Sequence, residues 1–135
     1  MKKTKKIFIV APSVAAIVVP TAALANVEFK DVNPTDYYAE AVQSLAERGI
    51  IQGFGDKTFR PANDVTRGQA AKMIAGILEL NTKNVKDPEF KDVSHENEFY
   101  GAIAALAERG IINGFPNGEY KPDQPMTRHQ MAKVI

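Results

Sequence analysis

Two arginines, Arg67 and Arg128, are the side chains of this sequence whose type and position best suit them to bind a ligand. Each stands at or next to the first position of a predicted helix, where the helix dipole disfavours an exposed cation by roughly 0.3–1 kcal/mol. Free backbone N–H groups at a helix start attract anions, and a guanidinium beside them adds charge-assisted donors. The pattern therefore indicates an anion site. A structural role stays open, in which each arginine pairs with an acid such as Asp64 or packs its stem against an aromatic ring.

Polar residues around each arginine predict how these helices begin. Thr66 and Gln69 have the spacing of a capping box, in which the threonine hydroxyl and the glutamine side chain each satisfy a backbone N–H. Thr127 and Gln130 repeat the pattern. The helix after Thr66 is predicted to run to about Leu80. Its predicted apolar face comprises Ala70, Ile74, Ile77 and Leu78.

Aromatic residues near the arginines offer a second kind of recognition. Phe54 and Phe115 occupy equivalent places in Gly-rich loops, where an exposed ring beside an arginine would make a platform for a sugar ring. Four other aromatic residues are predicted to lie mainly in the core, namely Tyr38, Phe99, Phe59 and Tyr120.

Residues for catalysis or metal binding form no recognisable arrangement in this sequence. His95 and His129 have no motif around them and are predicted to be solvated surface residues. A phosphate-binding glycine loop is missing, because the Gly-Phe-Gly stretch precedes a turn and not a helix. The loop acids lack the alternation and the final glutamate of a calcium-binding EF-hand. We therefore expect no enzymatic activity, metal or cofactor in these residues.

The two arginines belong to an internal repeat of 61 positions, which aligns without a gap and is identical at a little under half of its paired residues. A repeat at fixed spacing predicts a modular fold. A module of about 50 residues would be marginally stable alone, so we expect the two copies to pack on each other. The clearest matches are Phe29–Val32 with Phe90–Val93, Leu45–Ile51 with Leu106–Ile112, and Val65–Gln69 with Met126–Gln130.

Each copy is predicted to contain the same elements in the same order. A short extended lead-in and a polar turn precede a helix, which begins near Tyr38 in the first copy and near Phe99 in the second. Thr35 or Asp36 is predicted to cap this helix, and Gly49 to end it. A tight turn then leads to the arginine-led helix. On the first helix the predicted apolar face comprises Tyr38, Ala41, Val42, Leu45 and Ala46.

The first 25 residues have the pattern of a secretory signal peptide. Four lysines and no acid precede an apolar run from Ile7 to Pro20, and Ala23–Ala25 supplies a small-x-small cleavage site. The run is shorter than a membrane span of about 20 residues, and prolines interrupt it. An uncleaved membrane anchor is the alternative. We therefore expect an exported protein without membrane association after the segment is removed.

Removal of that segment changes the charge of the chain. The 135 residues include 17 Lys and Arg and 16 Asp and Glu, so the loss of four lysines leaves 13 basic against 16 acidic residues and changes the net charge from +1 to −3. A mildly acidic chain without clustered basic residues is unsuited to nucleic acid. Cysteine is absent, which excludes disulfides and thiolate metal sites.

The order of these motifs resembles the S-layer homology module. The resemblance rests on Phe-Lys-Asp-Val, on an aromatic-led helix ending in Arg-Gly-Ile-Ile, on the Gly-Phe turn with its Phe/Tyr-x-Pro, and on Thr-Arg-x-Gln. It covers Phe29 to about Ile77 and Phe90 to Ile135. It implies a mainly α fold of tandem helix-loop-helix modules, usually three, around a pseudo-threefold bundle. It also implies non-covalent binding to secondary cell-wall polysaccharides, often pyruvylated, of Gram-positive-type envelopes.

The resemblance also implies which residues contact the ligand. The family's Thr-Arg-Ala-Glu motif corresponds to Thr66–Gln69 and Thr127–Gln130, with both arginines facing the ketal carboxylate of the ligand. Glutamine replaces glutamate in both copies, which keeps the cap and loses a charge. Tyr38 and Phe99 replace a tryptophan and lose its indole N–H. The predicted polysaccharide-binding residues are Arg67, Arg128, Thr66, Thr127, Gln69, Gln130, Tyr38, Phe99, Phe54 and Phe115.

These inferences divide the chain into a signal peptide (1–25), a first module (26–80), a connector (81–89) and a second, truncated module (90–135). The predicted function is to anchor an exported protein to the cell wall by binding an anionic polysaccharide. One alternative is a protein–protein module that assembles S-layer subunits. Another is the targeting module of a wall-associated hydrolase whose catalytic domain lies beyond residue 135.

Overall fold

The computed structural model describes residues 27–134, and in that range it contains four α-helices and no β-strand. The predicted mainly α fold is therefore confirmed. The predicted signal peptide lies outside the described residues. Within residues 27–134, every helix is too short or too polar to cross a membrane. The helices are α1 (Ala39–Glu47), α2 (Arg67–Ile77), α3 (Tyr100–Glu108) and α4 (Arg128–Val134).

The helix α1 begins without the side-chain cap that the sequence predicts. Its N-cap residue is Tyr38, which makes no capping bond. The Asp36 carboxylate instead accepts from the backbone N–H of Asn33 at 2.9 Å, and the Thr35 hydroxyl donates to Asn33 Oδ1 at 2.8 Å. The prediction of a Thr35 or Asp36 cap was wrong because both side chains bond within the preceding turn.

Glycines end the first helix of each copy, as predicted. Gly49 and Gly110 have φ angles of +70° and +67°, in the left-handed region that glycine adopts without strain. The N–H of Gly49 donates to the carbonyl of Ala46 at 2.9 Å and satisfies one acceptor of the last helical turn.

The lead-in and the apolar faces differ from the prediction. Phe29–Val32 turns at its centre instead of staying extended, with the Val32 N–H donating to the Phe29 carbonyl at 3.3 Å. The helix α2 ends at Ile77 and does not reach Leu80. Three predicted face residues are exposed, namely Ala41, Ile77 and Leu78. On α2 the buried surface is lined instead by small residues, Gly68, Ala70, Ala71 and Ala75.

Two hydrophobic clusters form the core. The smaller one lies in the first copy around Val42 and Ile50. The larger one is built around α3 and also includes Ala71 and Ala75 of α2. A helix of the first copy thus completes the core of the second, which confirms that the two copies pack on each other. The small side chains of α2 allow the close approach.

Backbone hydrogen bonds also hold the two copies together at this interface. The N–H of Arg67 donates to the carbonyl of Gln124 at 2.9 Å, and the N–H of Gly68 donates to that of Pro122 at 2.8 Å. Gly68 also lies against the ring of Phe99, so closely that a Cβ at this position would overlap the ring. The start of α2 is therefore held by the second copy through its backbone.

Candidate functional site

The capping boxes predicted around the two arginines are both present. The Gln69 N–H donates to Thr66 Oγ1 at 3.2 Å, and the Thr66 N–H donates to Gln69 Oε1 at 3.0 Å. Thr127 and Gln130 make the same pair at 3.4 Å and 3.0 Å. The arginines are consequently the first residues of α2 and α4.

Arg67 is buried at the interface between the two copies, with 7% of its surface exposed. Its Nε donates to the carbonyl of Tyr120 at 2.8 Å, and its Nη2 donates to that of Asn113 at 3.3 Å. The guanidinium carbon also lies 4.5 Å from the ring centroid of Tyr120 and 4.9 Å from that of Phe115. Of the two structural roles left open by the sequence, ring packing is present, whereas no ion pair joins Arg67 to Asp64 in the described chain.

The backbone N–H groups at the start of α2 are already engaged. Those of Arg67 and Gly68 donate to carbonyls of the second copy, and that of Gln69 donates to its capping threonine. The helix start therefore satisfies its own unpaired donors within the protein. Any anion near Arg67 must be held by side chains and not by the helix terminus.

Arg128 has a different environment although it occupies the equivalent position. It is exposed, and within residues 27–134 its side chain makes no hydrogen bond or ion pair. The helix α4 has no buried residue, whereas α2 has five. Within residues 27–134, the same sequence motif is therefore packed in one copy and exposed in the other.

Sequence reasoning missed the two aspartates that hold the loops before the arginine-led helices. Asp92 accepts from the N–H groups of Tyr120 and Lys121 at 2.8 and 2.7 Å. Asp31 makes the equivalent bonds to Phe59 and Arg60, both at 2.7 Å. The retention of Asp in both Phe-Lys-Asp-Val motifs was the available signal. Its partners are 28 and 29 residues away, and no local pattern identifies them.

The tight turn predicted in each loop is present. In the first copy the N–H of Phe54 donates to the carbonyl of Thr58 at 2.8 Å, and Lys57 has a φ of +64°. In the second copy Phe115 and Glu119 make the same bond at 2.7 Å, and Gly118 has a φ of +81°. These turns place the Phe54 and Phe115 rings beside their arginine-led helices.

A groove of about 530 Å³ lies in the first copy between this loop and α2. Three aromatic residues contribute to its wall, Phe54 and Phe59 from the loop and Phe99 from the second copy. Phe54 is 38% exposed. The polar and charged residues of the lining are Gln52, Arg60, Asn63, Asp64, Thr66, Gln69, Lys72 and Glu98.

A smaller groove of about 170 Å³ occupies the equivalent place in the second copy. Arg67 projects into it from the first copy, next to Phe115 and Tyr120. Its cations are Arg67 and Lys133, and no carboxylate of the described part of the chain lines it. The two grooves are therefore related in position but differ in size and charge.

The predicted ligand-binding residues are divided between these surfaces. The first groove brings together Thr66, Gln69, Phe54 and Phe99, and the second contains Arg67, Phe115 and Gln130. Neither groove is lined by Tyr38, Thr127 or Arg128. Two lysines that the sequence analysis did not single out, Lys72 and Lys133, line equivalent positions of the two grooves.

Asp56, in the loop that carries Phe54, contacts Thr58 and Arg60. The Thr58 hydroxyl donates to its carboxylate, and the Arg60 guanidinium lies 3.1 Å from it. These two partners, the hydroxyl first, lower the pKa of Asp56 to about 2. The pKa of Asp31 is also lowered, chiefly by the hydrogen bond from the Phe59 N–H. The Arg60 guanidinium covers the ring of Phe54 at 3.9 Å.

The two histidines lie at the surface, as predicted. His95 Nε2 is 3.4 Å from an Asp87 carboxylate oxygen, and its side chain is 73% exposed. His129 is exposed and lies 3.0 Å from the Thr127 hydroxyl. Within residues 27–134, no three His, Cys, Asp or Glu side chains converge as metal ligands would.

Comparison with known proteins gives one family and a consistent set of relatives. The S-layer homology domain matches residues 28–71 and 89–132. The chain is 39% identical over 123 residues to the surface-layer 125 kDa protein of Lysinibacillus sphaericus, covering 90% of this chain and 10% of that protein. It is 35% identical over 126 residues to the S-layer protein sap of Bacillus anthracis, covering 93% and 15%.

Similarity extends to a protein named for an enzymatic activity. The amylopullulanase of Thermoanaerobacterium thermosulfurigenes is 32% identical over 113 residues, which cover 80% of this chain and 6% of that protein. The chain thus spans a small part of each of these relatives, from 6% to 15% of their lengths.

Proposed function

The chain belongs to the S-layer homology domain family, and from this we propose that its two repeats anchor an exported protein by binding an anionic, pyruvylated secondary cell-wall polysaccharide. The family and its S-layer relatives confirm the predicted location, at the cell surface of a Gram-positive-type envelope. The contacts of the first groove support the ligand class.

The observation that carries the proposal is the combination of rings and polar groups in the first groove. Phe54, Phe59 and Phe99 offer apolar surface for the C–H faces of sugar rings. Binding sites of this kind pair apolar walls with a few placed polar groups. Gln69 uses its oxygen for the cap, which leaves its amide N–H groups for sugar oxygens. Thr66 stands beside it at the mouth of the groove.

The arginines are proposed to contribute unequally. Two of the five guanidinium N–H groups of Arg67 donate to carbonyls, which leaves three for a ligand carboxylate in the second groove. Phe115 and Gln130 line that groove with it. We propose that Arg128 contacts a polymer extending beyond the grooves, since it is exposed. Thr127 and Tyr38 would take part at the outer edges of the same surface.

The same anchoring role would serve an enzyme. The similarity to an amylopullulanase supports a cargo with its own catalytic domain, whereas the S-layer relatives support a structural cargo. In both cases the repeats act by binding. Assembly through protein–protein contacts alone is the competing function, and a wall-binding experiment separates the two.

The test is co-sedimentation of the full chain with wall preparations stripped of protein, used before and after extraction of their polysaccharide. We expect sedimentation only with the preparation that retains polysaccharide. Phe54→Ser should weaken retention by about tenfold, as expected for loss of a ring that a sugar stacks on. Tyr37→Ser is the matched control, because Tyr37 is 98% exposed and lies outside the first groove.

Equal sedimentation with both preparations, or with neither, would overturn the proposal. Far-UV circular dichroism of each variant should match that of the parent chain. This comparison separates loss of binding from loss of fold.

A further inference from the structure

Each groove has a lysine in its lining, but the charged residues around that lysine differ between the two grooves. Lys72 and Lys133 stand 61 positions apart, each five residues after an arginine, and both are exposed. Each lines the groove of its own copy. In the second groove the lysine shares the lining with Arg67. Among residues 27–134, no arginine from a helix start lines the first groove.

The other cation of the first groove is already neutralised. The Arg60 guanidinium is 3.1 Å from the Asp56 carboxylate, and its Nε donates to the Thr58 hydroxyl at 3.1 Å. The same guanidinium covers the ring of Phe54. Arg60 is thus part of the loop and has little attraction left for a ligand anion.

Lys72 has no acidic partner among the described residues. Its Nζ lies 3.4 Å from Oε1 of Gln52, a neutral amide whose oxygen orients the ammonium without cancelling its charge. Two carboxylates, those of Asp64 and Glu98, also line the groove. A ligand anion is repelled by those acids and attracted by Lys72.

We propose that Lys72 is the residue that binds the acid group of the glycan in the first groove and thereby selects an acidic glycan over a neutral one. The inference rests on the proposed function and deepens it. The carboxylates of Asp64 and Glu98 are available to accept hydrogen bonds from sugar hydroxyls. A glycan with one acid group in each bound segment fits this lining, whereas a polyanion would meet those carboxylates.

The experiment is a calorimetric titration of the full chain with purified wall polysaccharide, either native or with its carboxylates amidated by carbodiimide. The parent chain should bind the amidated polymer about tenfold more weakly, the effect of one charge-assisted hydrogen bond. Lys72→Gln should bind the native polymer about tenfold more weakly than the parent and should lose less affinity than the parent on amidation. Lys83→Gln is the matched control, because Lys83 is exposed and lines neither groove, and it should bind like the parent within about twofold. Lys133→Gln reports on the second groove and should weaken binding of the native polymer less than Lys72→Gln does.

Each other outcome has a distinct meaning. If the parent binds and Lys72→Gln behaves like the parent with both polymers, the role of Lys72 is wrong while the proposed function stands. If Lys133→Gln carries the loss instead, the acid group lies in the second groove and the inference is overturned. If the parent binds neither polymer, the proposed function itself fails.

Discussion

The helices α2 and α4 begin with the same Thr-Arg-x-Gln motif, yet one is built into the core and the other is solvated. The second copy covers α2, so Arg67 reaches carbonyls and rings 46 to 53 residues away. Arg128 starts a helix with no buried residue. The comparison teaches that an identical motif acquires its role from the copy that packs against it.

The grooves differ for the same reason. Where Arg67 enters, the groove measures about 170 Å³, and the charged residues that line it, Arg67 and Lys133, are both cations. In the first groove, which Arg67 does not enter, about 530 Å³ remains, with rings, amides, acids, Arg60 and Lys72 in the lining. The proposed contacts with the ligand differ accordingly: the first groove offers rings, amides and Lys72, whereas the second offers Arg67 beside Phe115.

The largest effect is expected from truncating the two arginines separately. Arg67→Ala removes two charge-assisted hydrogen bonds and leaves two carbonyls at the interface between the copies without these donors. We therefore expect a loss of about 3 kcal/mol in the free energy of unfolding. Arg128→Ala should change it by less than about 0.5 kcal/mol, as is usual at an exposed position. Urea unfolding followed by circular dichroism measures both. Equal losses would contradict the asymmetry between the copies.

A smaller difference is expected between the two loop aspartates. Asp92→Ala leaves the N–H groups of Tyr120 and Lys121 without an acceptor beside a fully buried tyrosine ring, at a cost of about 2 kcal/mol. Asp31→Ala should cost less, because water replaces the carboxylate at the exposed loop of the first copy. The same unfolding assay compares them. A larger loss from Asp31→Ala would contradict this difference between the two loops.

The smallest expected effect is a pH-dependent change in the first loop that the second loop should not show. The pKa of Asp56 is lowered to about 2, so its bonds stabilise the first loop above the ordinary pKa of 3.8 and are lost as the pH falls through the lowered value. The second copy has Asn117 at this position, which does not titrate. The amide resonance of Thr58 should therefore shift between about pH 4 and pH 2. Asp56→Asn should remove most of that shift, and persistence of the full shift would assign it to another group, such as Asp31.

Local sequence patterns predicted the parts of the fold that local chemistry determines. Both capping boxes and both glycine stops depend on residues within four positions, and the structure contains them. The prediction that Thr35 or Asp36 caps α1 was wrong, because the preceding turn competes for the same side chains.

Contacts between residues far apart in the sequence could not be predicted from local patterns. Nothing near Arg67 indicates that its guanidinium meets the carbonyls of Asn113 and Tyr120, since this depends on how the copies pack. The predicted burial of Ile77 failed for a related reason: the contact with α3 is made by alanines, which allow a closer approach than large side chains. Lys72 was overlooked because an exposed lysine on a helix has no distinguishing pattern.

The most direct measurement is a nuclear magnetic resonance titration of the ¹⁵N-labelled full chain with purified native wall polysaccharide. We predict that the largest chemical-shift changes fall on Phe54, Gln69 and Phe99 around the first groove, with smaller changes near Arg67. Saturating polysaccharide that produces no shifts, or shifts confined to residues outside both grooves, would contradict binding of a wall glycan by the first groove.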